Sequence, residues 1–156
     1  METPQLIELV RKTVLQLIEE RDVRTFLFGS ASGFDSLCLK VVMGIKAEHP
    51  EIKLIYVRSH FSHIDKRYRD YLLESYDETF MPPGIERAGR ASYAERNQAM
   101  ITASDFCVFY YNEDYNPPVK GKESGGWQKP RGKSGTRLAY EYARQKGKES
   151  INLYIQ

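Results

Sequence analysis

Three short segments of this 156-residue chain combine residue types suited to holding an anion. The first is Gly29-Ser30-Ala31-Ser32-Gly33-Phe34-Asp35. Two glycines there let the backbone approach a ligand closely, and a helix start offers free N–H groups. Asp35 adds a carboxylate able to accept from a ribose hydroxyl. The plainer reading is a tight turn with Asp35 as a helix cap. The second segment is Glu95-Arg96-Asn97-Gln98-Ala99-Met100, where Arg96 offers a fork for a phosphate. A solvated helix charge is the commoner fate of a lone arginine. The third is Ser134-Gly135-Thr136, small residues and a hydroxyl at a helix start. These suit a phosphate or ribose, and would equally make an ordinary N-cap.

Two other motifs fail on their spacing. Gly132-Lys133-Ser134 resembles the end of a P-loop, but the earlier glycine it needs falls on Trp127, with Gly126 one residue too far. His60 and His63 lie three apart, with Asp65 the only nearby ligand, too few for zinc. No metal and no cofactor are expected.

These segments need elements to position them. Thr3-Pro4 reads as a helix start, and Leu6, Val10, Val14, Leu17 and Ile18 continue it to about Glu20. Thr25 to Phe28 is a β-prone run ending at Gly29. A second helix uses Leu37, Val41, Met43 and Ile45 and stops near His49-Pro50. Ile52 to Val57 reads as a strand buried on both faces. A charged helix over Ile64 to Ser75 and a short strand at Phe80-Met81 follow. Ser92 to Ala103 is helical, with Tyr93, Met100 and Ile101 on its expected inner face.

Asp105 to Tyr111 is the most apolar strand, and Ile151 to Ile155 the last. Between them lie a helix over Gly135 to Gln145 and, before it, the non-periodic segment 112–133, expected to be a basic lid. Gly147 reads as the glycine that closes the helix. Strands alternating with helices predict a Rossmann-like three-layer α/β/α sandwich with a mainly parallel sheet, as one domain over 1–156. Ligands of such sheets bind beyond the carboxyl ends of the strands.

Composition narrows the class. Hydrophobic residues are 41% and charged residues 28%, which excludes a disordered chain, and no apolar run is long enough for a membrane helix. The start Met1-Glu2-Thr3-Pro4 lacks the basic region of a secretory signal, so a cytoplasmic protein is expected. Cys38 and Cys107 sit in apolar stretches and read as free core thiols. A net charge of +2 does not by itself imply nucleic acid.

Taken in order, Gly33-Phe34-Asp35, Arg96-Asn97-Gln98-Ala99-Met100, Ser104-Asp105 and Ser134-Gly135-Thr136 resemble the SLOG superfamily of Rossmann-like nucleotide-binding domains, in a bacterial branch related to the LOG-type phosphoribohydrolases. The similarity runs from about Val23 to Tyr154. It implies a nucleotide-like ligand held by Gly29, Ser30, Gly33, Asp35, Arg96, Asn97, Gly135 and Thr136. In LOG-type hydrolases an arginine matching Arg96 is catalytic, and a glutamate follows the late threonine by three residues. Here that position is Ala139, and Glu141 lies about 200° around the helix from the position it would have to replace. The resemblance therefore implies binding without catalysis. Relatives also carry a strand ahead of the first helix. Its lack here leads us to expect an incomplete pocket and self-association into a homo-oligomer. The alternative is an enzyme cleaving an N-glycosidic bond of a nucleoside or nucleotide, with Asp35 or Glu141 stabilising the sugar cation. Single-stranded nucleic acid bound by the basic, aromatic segment around Lys120 to Arg137 ranks third.

Overall fold

The computed structural model describes residues 3–30, 32–59, 66–114 and 134–154. The expected lid therefore lies outside the described residues from 115 to 133, as do His60, His63 and Asp65. The chain divides into two compact units, Met1–Met100 and Ile101–Gln156. Both are built from helices and parallel strands in the manner of a Rossmann-like α/β fold, as the alternating pattern predicts.

In the first unit, α1 (Pro4–Arg21) starts where the Thr3 hydroxyl accepts from the Leu6 N–H at 3.1 Å. It ends at Asp22, in the left-handed conformation with φ 57°. Val10, Val14 and Leu17 form its buried stripe, and it lies against α2 (Gly33–Lys46). The strands β1 (Thr25–Phe28), β2 (Lys53–Val57) and β3 (Glu78–Phe80) pair in parallel in the order β1-β2-β3. The register places Phe28 opposite Tyr56, and Val57 opposite Phe80. The helix α3 (Lys66–Leu72) precedes β3, and α4 (Ser92–Ala103) follows it after two short 3-10 turns.

One carboxylate locks this sheet. The Asp77 N–H donates to the Leu54 carbonyl, and its side chain accepts from the Leu54 N–H, each at 2.8 Å. Lys46 Nζ closes on the same carboxylate at 2.5 Å. An acid at the mouth of β3 thus extends the ladder by one residue and ties it to the end of α2.

In the second unit β4 (Phe106–Phe109) pairs in parallel with β5 (Glu149–Asn152). The helix α5 (Gly135–Gln145) covers them through Ala143, which is fully buried among Ile101, Cys107, Phe109 and Tyr111. Tyr140 meets Phe109 edge-on at 5.3 Å and Tyr111 at 5.0 Å. The Asn152 amide completes the ladder beyond its last regular pair. Its Oδ1 accepts from the Tyr111 N–H, and its Nδ2 donates to the Tyr111 carbonyl, both at 2.9 Å.

Several expectations need correction. In α2 it is Val42 that is buried, while Val41 is half-buried and Met43 is 44% exposed. β2 is not covered on both faces throughout, because Lys53 is exposed and Ile55 and Tyr56 are half-buried. β5 starts two residues earlier than the apolar run and ends at Asn152. Parallel pairing with Phe106 to Phe109 fixes it, and three of its four residues are polar side chains that hydropathy cannot register. Both cysteines are free, as expected. Burial, with the Asp35 charge adding to it, raises the Cys38 thiol to about 12, so it stays protonated and inert. Among the described residues no helix is long and apolar enough to cross a membrane.

Candidate functional site

The carboxyl ends of β1 and β2 carry the chemistry of the first unit. Gly29 follows β1 directly. A Cβ built on it would stand 2.5 Å from Met100 Sδ and 2.8 Å from Arg96 Cδ, closer than real Cβ atoms come. The glycine is required there because α4 passes its backbone at contact distance. Arg96 and Met100 are four residues apart on one face of α4, and so is the fully buried Ser92. This inner face is polar at two of its three positions.

Arg96 is 4% exposed. Its Nε donates to Asn97 Oδ1 at 3.0 Å, and its Nη1 makes a long 3.5 Å contact to the carbonyl of Val57, the last residue of β2. Tyr93 lies 5.5 Å below the guanidinium. Among the described residues no carboxylate comes within ion-pair distance of it. Burial lowers its pKa from the ordinary guanidinium value, while Tyr56 and Asp35 act in the opposite sense. An arginine stays charged even so. Among the described residues this buried cation is met by a neutral amide, a backbone carbonyl and the Tyr93 ring, an arrangement suited to an anion. Tyr93, expected inside, is 50% exposed, and Arg96 takes the buried place.

The glycine-rich turn is organised by its serines. Ser32, not Asp35, is the N-cap of α2, its hydroxyl accepting from the Asp35 N–H at 3.3 Å. Asp35 is thereby released for a different task and accepts a 2.7 Å hydrogen bond from the Ser30 hydroxyl. Ser30 Oγ also accepts from the Ser32 N–H at 3.3 Å. Gly33 is the first, exposed residue of α2. The unit thus brings Gly29 against Arg96, Ser30 against Asp35, and Asn97 against Arg96.

Gly135 and Thr136 belong to the other unit. They are exposed at the first turn of α5, where Ser134 caps the helix by accepting from the Arg137 N–H at 3.0 Å. A Cβ on Gly135 would meet nothing within 4 Å, so no close approach demands a glycine. Ala139 packs against the unit's core, and Glu141 pairs with Arg137 at 3.2 Å, one helical turn away.

Sequence reasoning missed Arg58, the residue after β2. Its N–H donates to the Phe80 carbonyl at 2.8 Å, and its buried side-chain Nε has no hydrogen-bond partner among the described residues. A charged residue immediately after an apolar strand was the available signal. Among the described residues no cluster of three His, Cys, Asp or Glu side chains could hold a metal.

Residues 2–129 match the YspA SLOG family. No curated protein and no solved structure matches the chain.

Proposed function

The chain belongs to the YspA SLOG family, and on that premise we propose that it binds a nucleotide or nucleotide-derived ligand at the carboxyl ends of β1 and β2. Arg96 carries the reading. It is buried, it has no carboxylate partner among the described residues, and it is seated against a glycine that ends a parallel strand. A guanidinium so placed holds a phosphate in fork geometry. Gly29 supplies close backbone approach, Ser30 and Asp35 face a ribose hydroxyl, and Asn97 orients Arg96 through the 3.0 Å bond. Gly33 lets the ligand reach the start of α2. Gly135 and Thr136 enter this reading only through their likeness to the family's late helix.

The test is a thermal-shift and calorimetric series with AMP, ADP-ribose, NAD and cyclic nucleotides. A ligand selective for the folded state raises the apparent stability. Arg96→Lys keeps the charge but loses the fork, and should weaken the best ligand by roughly tenfold or more. Binding that is indifferent to Arg96→Lys and Arg96→Ala would remove the reading.

A further inference from the structure

Among the described residues three polar side chains are buried, Thr13, Ser92 and Arg96. Thr13 is satisfied inside its own helix, its hydroxyl donating to the Leu9 carbonyl one turn back at 2.8 Å. Ser92 is not. It is fully buried, and its Oγ has no hydrogen-bond partner among the described residues. The carbonyl one turn back from it, that of Ala88, is already engaged by the Ala91 N–H at 3.0 Å, in the 3-10 turn that leads into α4. A buried hydroxyl without a partner carries the full cost of its lost hydration.

Ser92 opens α4, and Arg96 follows it by four residues on the same face. A long side chain on a helix leans back toward the N-terminus, over the preceding turn. The Arg96 guanidinium therefore lies over the turn that Ser92 begins, where its Nη1 reaches the Val57 carbonyl. Its two hydrogen bonds use Nε and Nη1, which leaves Nη2 for a further acceptor. The positive end of the helix dipole falls at the same place. Glu95, the acid of that first turn, is exposed and stands about 100° around the helix from Arg96. The complement of a hydroxyl donor, a guanidinium and a helix start is an oxyanion with several acceptor oxygens, which a phosphoryl group supplies.

We infer that Ser92 is a ligand-binding residue whose hydroxyl donates to an oxygen of the phosphoryl group that Arg96 holds. This rests on the binding reading above and deepens it. Ser92 and Arg96 grip one phosphoryl group from adjacent turns of a single helix, so α4 fixes where that group sits against the ends of β1 and β2. The ligand supplies the acceptor that the fold withholds from Ser92.

The experiment sets Ser92→Ala beside the unaltered chain, with Arg96→Lys and Arg96→Ala as references. Urea melts are run without ligand, and calorimetry with AMP, ADP-ribose, NAD and cyclic AMP. Ser92→Ala removes a buried hydroxyl that bonds nothing, so the urea midpoint should not fall. Affinity for the tightest of the four nucleotides should drop fivefold or more, as expected when a hydrogen bond to a charged group is lost. A serine that served only the fold would give the opposite pair of results, a lower midpoint and unchanged affinity. A lowered midpoint, or a loss of affinity below fivefold, overturns the assignment of Ser92 while Arg96-dependent binding stands. No binding of any of the four, or binding indifferent to both Arg96 variants, overturns both readings together.

Discussion

Gly29 and Arg96 share a single surface, with the backbone of one filling the place where the other's aliphatic stem must run. An added Cβ at Gly29 would lie 2.8 Å from Arg96 Cδ and 2.5 Å from Met100 Sδ. The thioether is flexible and yields; the arginine stem is held at its far end by Asn97 and Val57. Gly29→Ala should therefore cost about 1–3 kcal/mol of stability through overpacking and displace the guanidinium. Urea melts and ligand titration of the same variant check this. A variant of normal stability and normal affinity would show that the close approach has no consequence.

No appreciable release of free base from a nucleoside monophosphate is expected. Ala139 packs against the core of the second unit, and Glu141 is engaged by Arg137. Release of free base from AMP should stay at background, since a missing catalytic carboxylate commonly costs orders of magnitude. Turnover at ordinary enzyme rates that disappears in Glu141→Gln would reverse the assignment.

Asp77 makes stability depend on pH at the acid end. Burial alone would raise its pKa, but the Lys46 ammonium and the Leu54 N–H outweigh it and hold the carboxyl below the ordinary aspartate value. A pKa depressed by folding adds stability above the unfolded value, and that stability is lost as pH falls through the folded one. Asp77→Asn keeps an acceptor for Leu54 but loses the charge. Its deficit relative to the unaltered protein should be full at neutral pH and shrink below about pH 4. A deficit independent of pH would mean the Lys46 contact adds nothing.

The Asn152 amide gives a sharper chemical test. Asn152→Ala removes both bonds to Tyr111 and should cost about 1–3 kcal/mol. Asn152→Asp retains the acceptor for the Tyr111 N–H but turns a carboxylate oxygen toward the Tyr111 carbonyl. It should be at least as damaging as alanine near neutrality and recover in acid, when the carboxyl can donate again. Denaturant melts at pH 7 and pH 4 separate the two variants.

What the sequence made legible follows from where the local signals are strong. Thr25–Phe28, Ser92–Ala103 and Gly135–Gln145 occupy the expected spans. The first is a short β-prone run, and the last carries a capping serine and, beyond it, Gly147 with φ 72°. The buried face of α4 was not legible. Side-chain type puts Tyr93 inside and Arg96 outside, whereas Ser92 and Arg96 are the buried pair. The four-residue spacing of Ser92, Arg96 and Met100 was present, but two polar members hide it from a hydropathy pattern. The role of Asp35 was half visible. It sits at the helix start as read, but Ser32 caps the helix and Asp35 turns to Ser30.

The register of the ladders also sets what each pairing costs in chain closure. Thr25 meets Lys53 and Ile55 meets Glu78, so each pairing in the first unit closes a span of roughly 25 residues, whereas Phe106 must find Glu149 across a span of roughly 43. Closure entropy grows with the logarithm of span, which makes the β4–β5 encounter the dearer by about half a kcal/mol. That difference is a handicap of only about twofold for the second unit's pairing. Lengthening segment 112–133 would retard that search only slightly, since even a doubling of the span adds about 0.6 kcal/mol.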